Sequence, residues 1–179
     1  MLEWNGLGIR AWKHADREPL LYHLRQYLSE DHKEYGSELL PTTKNVELMW
    51  RIGIRSVQDG CPTLLAVNKD NQVQGFVIMA PHETIFDTTH KTIYMYGLYV
   101  TPAMRSSFLA ATLISLVGEY LQGTSYTRGI TSTMISNTRL TKLITSGGAW
   151  PYAISWVWTP EMGICYSEAL ARRGLPTRS

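Results

Sequence analysis

An arginine and two serines stand between a strand-like and a helix-like segment near the middle of the chain. In LYVTPAMRSSFLAATLISLV, Leu98–Val117, an apolar strand stops before Pro102, and Arg105, Ser106 and Ser107 precede an apolar helix. The start of a helix has four unpaired N–H groups and a partial positive charge. Hydroxyl and guanidinium groups add further donors. These residue types in this order predict a site for an anion such as phosphate.

One residue departs from the usual composition of such a loop. Phosphate-binding loops commonly use glycine, which lets the backbone approach the anion and accepts positive φ at no steric penalty. This chain has Phe108 at the helix entrance. We expect Phe108 to adopt positive φ only at a cost in free energy, and its ring to occupy space that phosphates need. The loop therefore either binds an anion or is a helix cap that binds nothing.

Other residues capable of chemistry are scattered. Cys61 and Cys165 match no metal or redox spacing, and no pair of histidines has the i, i+4 spacing of a zinc helix. We predict no metal site. The chain contains neither a P-loop motif nor a G-x-S-x-G motif. His82 and Glu83, after a predicted strand, could reach a neighbouring cleft or form a plain surface turn.

The composition narrows the classes of partner. The formal charge of +2 comes from 17 basic and 15 acidic residues, too even a balance to favour nucleic-acid binding. Neither a signal peptide nor an apolar run long enough for a membrane span is visible. We therefore expect no nucleic-acid or membrane partner, and a cytoplasmic location, in the host cytoplasm or the virion if the protein is viral.

Periodicity predicts the element order β-α-α-β-β-β-α-β-α-β. The predicted strands are Gly8–Trp12, Pro62–Asn68, Val73–Ala80, Thr92–Val100, Gly129–Ser136 and Ala149–Thr159. The predicted helices are Arg17–Glu30, Val46–Gln58, Ser107–Leu121, Asn137–Gly147 and a short one near Ser167–Arg173. Only the connection through Ser107–Leu121 has a helix long enough to join two parallel strands. The fold class is therefore α/β or α+β, with a mixed sheet.

Three local features refine these predictions. Asp16 is placed to cap the first helix. The polar segment 31–45 is predicted to be an exposed, turn-rich connection. Gly97 lies inside the strand Thr92–Val100, and an interior glycine often marks a β-bulge.

The element order and the central loop resemble the GNAT-type N-acetyltransferases from Leu7 to about Trp158. That family has a strand ending V-x-P, followed by Q/R-x-x-G-x-G/A. This chain has Val100-Thr101-Pro102 and then Arg105 to Ala110, with Phe108 in place of the central glycine. A second similarity is Asn137 followed eleven residues later by Gly148, where family members have an asparagine and a G-F pair.

The resemblance implies a single domain over residues 1–179, with a core at about 7–158 and a C-terminal extension at 160–179. Its fold would be a mixed, mostly antiparallel sheet with a central parallel βαβ unit, flanked by helices. A bulge at Gly97 would separate neighbouring parallel strands and open a cleft for pantetheine. The implied cofactor is acetyl-CoA, and its binding residues would be Leu98, Tyr99, Val100, Arg105, Ser106, Ser107, Phe108, Leu109, Ala110 and Asn137.

The catalytic groups that the resemblance implies are replaced here. Family members frequently have a carboxylate at the position of Tyr96 and a tyrosine at that of Ile144. Tyr96 remains as the candidate catalytic residue, and Tyr94 or Tyr99 could lie nearby, depending on the face each occupies. Strand packing is the alternative role for these tyrosines. The acidic segment Ser29–Glu38 would suit a cationic amine acceptor or be a solvated loop.

Two functions are consistent with these residues. The first is an acyltransferase that moves an acetyl group from acetyl-CoA to an amine acceptor. The second is a non-catalytic interaction or virion-associated structural protein on the same fold, with a protein partner. The chain is similar to small GNAT-like proteins of tailed bacteriophages, some of which are associated with the virion.

Overall fold

The structure is a computed structural model that describes residues 2–82, 91–122, 124–132 and 136–146. The chain divides into two compact units, Met1–Leu143 and Ile144–Ser179, and nearly all described residues belong to the first. The predicted strand Ala149–Thr159 and helix near Ser167 lie outside the described residues, as do Glu83 and Gly148.

Within the described ranges, six strands form one sheet in sequence order. They are β1 Leu2–Trp4, β2 Leu7–Ala11, β3 Leu64–Val67, β4 Val73–His82, β5 Thr92–Val100 and β6 Arg128–Thr131. Neighbouring strands are antiparallel except β5 and β6, which are parallel. The predicted mixed, mostly antiparallel sheet with one parallel βαβ unit is therefore confirmed. The sequence prediction lacked β1, which pairs with β2 through Asn5–Gly6, both with positive φ, as a type I′ hairpin requires.

Helices cover the two faces of the sheet. α1 Arg17–Tyr35 and α2 Thr43–Gln58 lie on one face, α3 Leu109–Gln122 lies on the other, and α4 Thr138–Ser146 follows β6. Because side chains alternate between the faces of a strand, β4 contributes Phe76 to the core beneath α1 and α2 and Val77 to the core beneath α3. The sheet thus separates two apolar cores.

The first helix differs from its prediction at both ends. α1 continues beyond Glu30 to Tyr35 and stops at Gly36, whose φ of 72° suits the left-handed residue after a helix. The start of the segment predicted as an exposed connection is thus helical. Asp16 does not cap α1. Its carboxylate binds Arg10 through two hydrogen bonds of 2.7 Å and accepts the Lys13 N–H at 2.8 Å.

Other helix boundaries moved by a few residues. α2 begins at Thr43 rather than Val46, because the Thr42 hydroxyl accepts the Asn45 N–H and caps it. α3 begins at Leu109 rather than Ser107. Among the strands, β6 ends at Thr131 rather than Ser136.

The bulge predicted at Gly97 is present between β4 and β5. Ile78 pairs with Gly97, but the next residue, Met79, pairs with Met95, so that Tyr96 is the extra residue. On the other side of β5, pairing with β6 ends at Met95 and Thr131. Among the described residues, the parallel pairing therefore stops where the bulge begins, which is the arrangement expected for a cleft between the strands.

Candidate functional site

The loop between β5 and α3, residues 101–108, holds a left-handed residue directly before the helix. A short 3-10 turn at Pro102–Met104 is followed by Phe108 with φ of 59°, and the Phe108 carbonyl accepts the Thr112 N–H at 3.0 Å. Phe108 thus takes the conformation that glycine would adopt more easily. Phe108 adopts this backbone nonetheless, and the expected cost in free energy stays a prediction. The surrounding turn and the first bond of α3 fix the conformation.

Unpaired N–H groups line the entrance of α3. The N–H groups of Ser106, Phe108, Leu109, Ala110 and Ala111 have no hydrogen-bond acceptor among the described residues. A helix entrance of this kind attracts anions, because its donors point the same way and carry the positive end of the helix dipole. The loop can therefore bind an anionic group through its backbone.

The two loop serines differ in how they are used. The Ser107 hydroxyl donates to the Met104 carbonyl at 2.6 Å and holds the turn together. Ser106 is exposed, and its hydroxyl makes no hydrogen bond with another described residue. Of the two predicted hydroxyl ligands, only Ser106 keeps its proton free for an anion.

Arg105 is held between β5 and α1. Its Nε donates to the Val100 carbonyl at 3.3 Å, and its Nη2 forms an ion pair with Glu30 of α1. A guanidinium has five N–H donors, and one more of them is directed at the Tyr99 hydroxyl, so two remain after these contacts. The positive charge predicted for phosphate binding is therefore shared with a carboxylate of the protein.

Most of the other predicted cofactor residues bury their side chains. Leu98, Val100, Leu109 and Ala110 pack in the core beneath α3. Tyr99 lies in the opposite core, its ring stacked on Phe76 with centroids 5.4 Å apart. Leu98 and Ala110 are half-buried, and the Tyr99 hydroxyl lies beside Arg105. The four aliphatic side chains cannot form hydrogen bonds, so the polar groups that these residues offer a ligand are those of the backbone. The backbone groups of Leu98–Val100 lie along the edge of β5 that faces β6. Beyond the bulge, this edge pairs with no described residue of β6.

Asn137 caps α4 through its side chain. Its Oδ1 accepts the Leu140 N–H at 3.0 Å, while its Nδ2 has no acceptor among the described residues. The preceding residue, Ser136, donates its hydroxyl to the Tyr35 carbonyl at 3.3 Å. The last turns of α1 therefore contact the two segments whose sequences resemble the GNAT family. Glu30 contacts the 101–108 loop, and Tyr35 contacts the start of α4.

Tyr96 belongs to a cluster of aromatic and polar side chains beside the bulge. Its ring is 36% exposed and lies edge-on to Tyr94 with centroids 4.8 Å apart. Tyr94 shares a hydrogen bond with the Ser132 hydroxyl, and its ring centroid is 5.3 Å from that of His82. Tyr94 therefore lies beside Tyr96, and His82 lies beside Tyr94, whereas the ring of Tyr99 packs on Phe76 in the core.

Sequence reasoning missed the contribution of Tyr27. Its hydroxyl donates to the Tyr96 carbonyl at 3.4 Å. Burial, with Asp31 and Tyr94 nearby, raises the pKa of Tyr27 well above its ordinary value, so that it stays a hydrogen-bond donor. The signal that could have found it is its helical spacing to Asp31 on a face directed at Gly97.

Neither a metal centre nor a membrane span is found in the described part of the chain. No group of three or more His, Cys, Asp or Glu residues there lies close enough together to hold a metal ion. None of the helices described is long and apolar enough to cross a bilayer.

Comparison with known proteins agrees with this geometry. The model of the acetyltransferase (GNAT) family matches residues 21–147, more than half of the chain. The chain belongs to the GNAT acetyltransferase family. GNAT proteins generally bind acetyl-CoA and transfer its acyl group, and the unpaired N–H groups at the start of α3 fit the pyrophosphate of such a ligand.

Solved structures show the GNAT fold in distant relatives. A mutant of the BH1408 protein from Bacillus halodurans superimposes with a TM-score of 0.67 at 17% identity, over 85% of this chain and 98% of that one. The aminoglycoside 6'-N-acetyltransferase AAC(6')-Ih from Acinetobacter baumannii gives 0.63 at 16%, over 86% and 97%. Glucosamine-6-phosphate N-acetyltransferase from Arabidopsis thaliana gives 0.59 at 11%, over 86% and 98%. A search of curated proteins finds no sequence match.

Proposed function

We propose that the protein is an acyltransferase that moves an acetyl group from acetyl-CoA to an amine acceptor. One observation carries the proposal: Phe108 has φ of 59° at the entrance of α3. The N–H groups of the four consecutive residues Phe108–Ala111 have no acceptor among the described residues. The loop keeps the backbone of an anion site although the glycine that usually permits it is absent. A helix cap with no ligand to bind would not need this conformation in a phenylalanine.

The binding residues have distinct roles in this proposal. The N–H groups of Phe108–Ala111, the Ser106 hydroxyl and the free N–H groups of Arg105 bind the pyrophosphate. The edge of β5 at Leu98–Val100 offers backbone partners to the amide groups of pantetheine, since no described residue of β6 pairs there. The Nδ2 of Asn137, which has no acceptor among the described residues, is a further donor for the ligand.

Acetyl transfer requires movement of a proton as well as binding. The neutral amine attacks the thioester carbonyl, the C–N bond forms, the C–S bond breaks, and the amine proton leaves as the thiolate gains one. Tyr96 is the candidate to handle a proton. It is partly exposed, and it lies at the bulge, next to the last described pair of β5 and β6.

The proposal is tested by measuring binding of acetyl-CoA by calorimetry and release of CoA thiol with a panel of primary amines. We expect a Kd below about 100 μM, equivalent to about 5.5 kcal/mol. In active protein, Tyr96→Phe should lower kcat by about 100-fold, while Tyr22→Phe, a matched change on exposed α1 surface, should leave it unchanged. Absence of binding would contradict the proposal and support the non-catalytic alternative.

A further inference from the structure

Phe108 is the most exposed large apolar side chain in the described ranges, at 80%. Its ring contacts no other aromatic ring there and belongs to neither apolar core. Its backbone has the φ of 59° that a glycine adopts more readily. Neither packing nor backbone conformation therefore accounts for a phenyl group at this position.

The surroundings of the ring indicate the chemistry of a ligand. Phe108 carries one of the unpaired N–H groups and directly precedes those of Leu109, Ala110 and Ala111. A phosphate bound by these donors lies beside the ring. An exposed aromatic face next to phosphate donors matches a ligand in which a planar base is covalently joined to phosphate, because bases stack on aromatic side chains.

We propose that Phe108 is a stacking platform for the adenine base of the acyl-CoA donor. The inference rests on the proposed function, in which the N–H groups of Phe108–Ala111 bind the pyrophosphate. It makes Phe108 a specificity-determining residue. The ring favours a thioester that carries the nucleotide over one that ends at phosphopantetheine.

The experiment compares two donors, acetyl-CoA and acetyl-4'-phosphopantetheine, by calorimetry on four proteins. These are the unaltered chain, Phe108→Trp, Phe108→Leu and Phe108→Gly. The leucine variant keeps the Cβ and apolar bulk but has no aromatic face, so it separates stacking from bulk. We expect the unaltered chain and Phe108→Trp to prefer acetyl-CoA by about tenfold or more, and the preference to fall about fivefold or more in Phe108→Leu and Phe108→Gly.

Each other outcome has a separate meaning. If acetyl-CoA binds but Phe108→Leu keeps the full preference, the stacking inference is wrong and the proposed function stands. If the unaltered chain binds acetyl-4'-phosphopantetheine more tightly than acetyl-CoA, the ring excludes the nucleotide instead of stacking on it, and the inference is wrong. If the unaltered chain binds neither donor, the proposed function fails and the inference fails with it.

Discussion

The carboxylate of Glu30, near the end of α1, forms an ion pair with the guanidinium of Arg105 in the 101–108 loop. The two residues are 75 positions apart in the sequence, and both side chains are about one-third exposed, at 30% and 35%. Arg105 also donates to the carbonyl of Val100, at the end of β5. The pair therefore ties α1 to the loop that we propose binds phosphate, and it places a negative charge next to the cation of that loop.

Glu30→Gln should increase the affinity for acetyl-CoA by about threefold, because it removes a carboxylate that shares Arg105 with the phosphates. Its effect on the free energy of unfolding should stay below about 1 kcal/mol, since an exposed pair is screened by solvent. Calorimetry at low and high salt measures the first effect, and urea unfolding measures the second. Glu18→Gln, on the same helix and paired with Arg17, is the matched control. A fall in affinity in Glu30→Gln would instead assign Glu30 the role of holding Arg105 in position.

Ser106→Ala should change the affinity for acetyl-CoA, whereas Ser107→Ala should change the free energy of unfolding. The Ser106 hydroxyl makes no hydrogen bond with another described residue, so its loss should weaken acetyl-CoA binding about threefold to tenfold and leave stability unchanged. The Ser107 hydroxyl donates to the Met104 carbonyl, so its loss should lower the free energy of unfolding by about 1 kcal/mol. Binding calorimetry and thermal unfolding of both variants check this. Identical profiles would contradict the assignment of the two hydroxyls.

Phe108→Gly should raise the free energy of unfolding by about 1 kcal/mol, because a left-handed backbone costs a non-glycine residue about 1–2 kcal/mol. Phe108→Ala removes the same ring but keeps the Cβ, so it should give no such gain. Thermal and urea unfolding distinguish the two variants. Equal stabilities for the glycine and alanine variants would show that the backbone is not strained.

Gly97→Ala should destabilise the protein by about 1–2 kcal/mol. A Cβ at residue 97 would lie 3.2 Å from Cε1 of Tyr27 and 3.4 Å from Cε of Met49, so α1 and α2 would have to shift away from the bulge. Gly118→Ala, in α3 with no described atom within 4 Å of the added Cβ, should stabilise by about 0.5–1 kcal/mol. Urea unfolding measures both changes. If Gly97→Ala leaves the free energy of unfolding unchanged, α1 can move away from residue 97 at little cost and the prediction is wrong.

The Arg10–Asp16 pair should make stability depend on pH in the acid range. Burial of Asp16 raises its pKa, but the hydrogen bonds and charge of Arg10 and the Lys13 N–H outweigh burial, so the pKa is lowered. A carboxyl whose folded pKa is depressed contributes stability above its unfolded pKa of about 3.9, and that stability is lost as pH falls through the folded pKa.

Asp16→Asn should therefore unfold more easily at neutral pH, by about 3 kcal/mol. Its stability should also change less between about pH 5 and pH 2. Urea unfolding at a series of pH values measures both effects, with Asp70→Asn, at an exposed turn, as control. A variant that keeps the full acid dependence would show that other carboxyls carry it.

Local patterns in the sequence were sufficient for much of the fold. β5 was predicted with the bounds that the structure has, Thr92–Val100, because its β-branched and aromatic residues suit a strand. Gly97 predicted the bulge, since an interior glycine weakens regular pairing. Pro102 and the apolar run after Phe108 predicted the strand–loop–helix on which the proposed site rests. Each of these signals lies within a few residues of the structure that it specifies.

The sequence by itself determined the element order, the loop and the bulge, because periodicity and turn residues act on neighbouring positions. Only the tertiary structure decided which side chains contact one another. Arg105 pairs with Glu30, Tyr27 donates to the carbonyl of Tyr96, and Asp16 serves Arg10 instead of capping α1. The Arg105–Glu30 and Tyr27–Tyr96 contacts join residues 75 and 69 positions apart and depend on how α1 packs on the sheet. The positive φ of Phe108 was decided in the same way, by the turn before it and the helix bond after it rather than by its own preference.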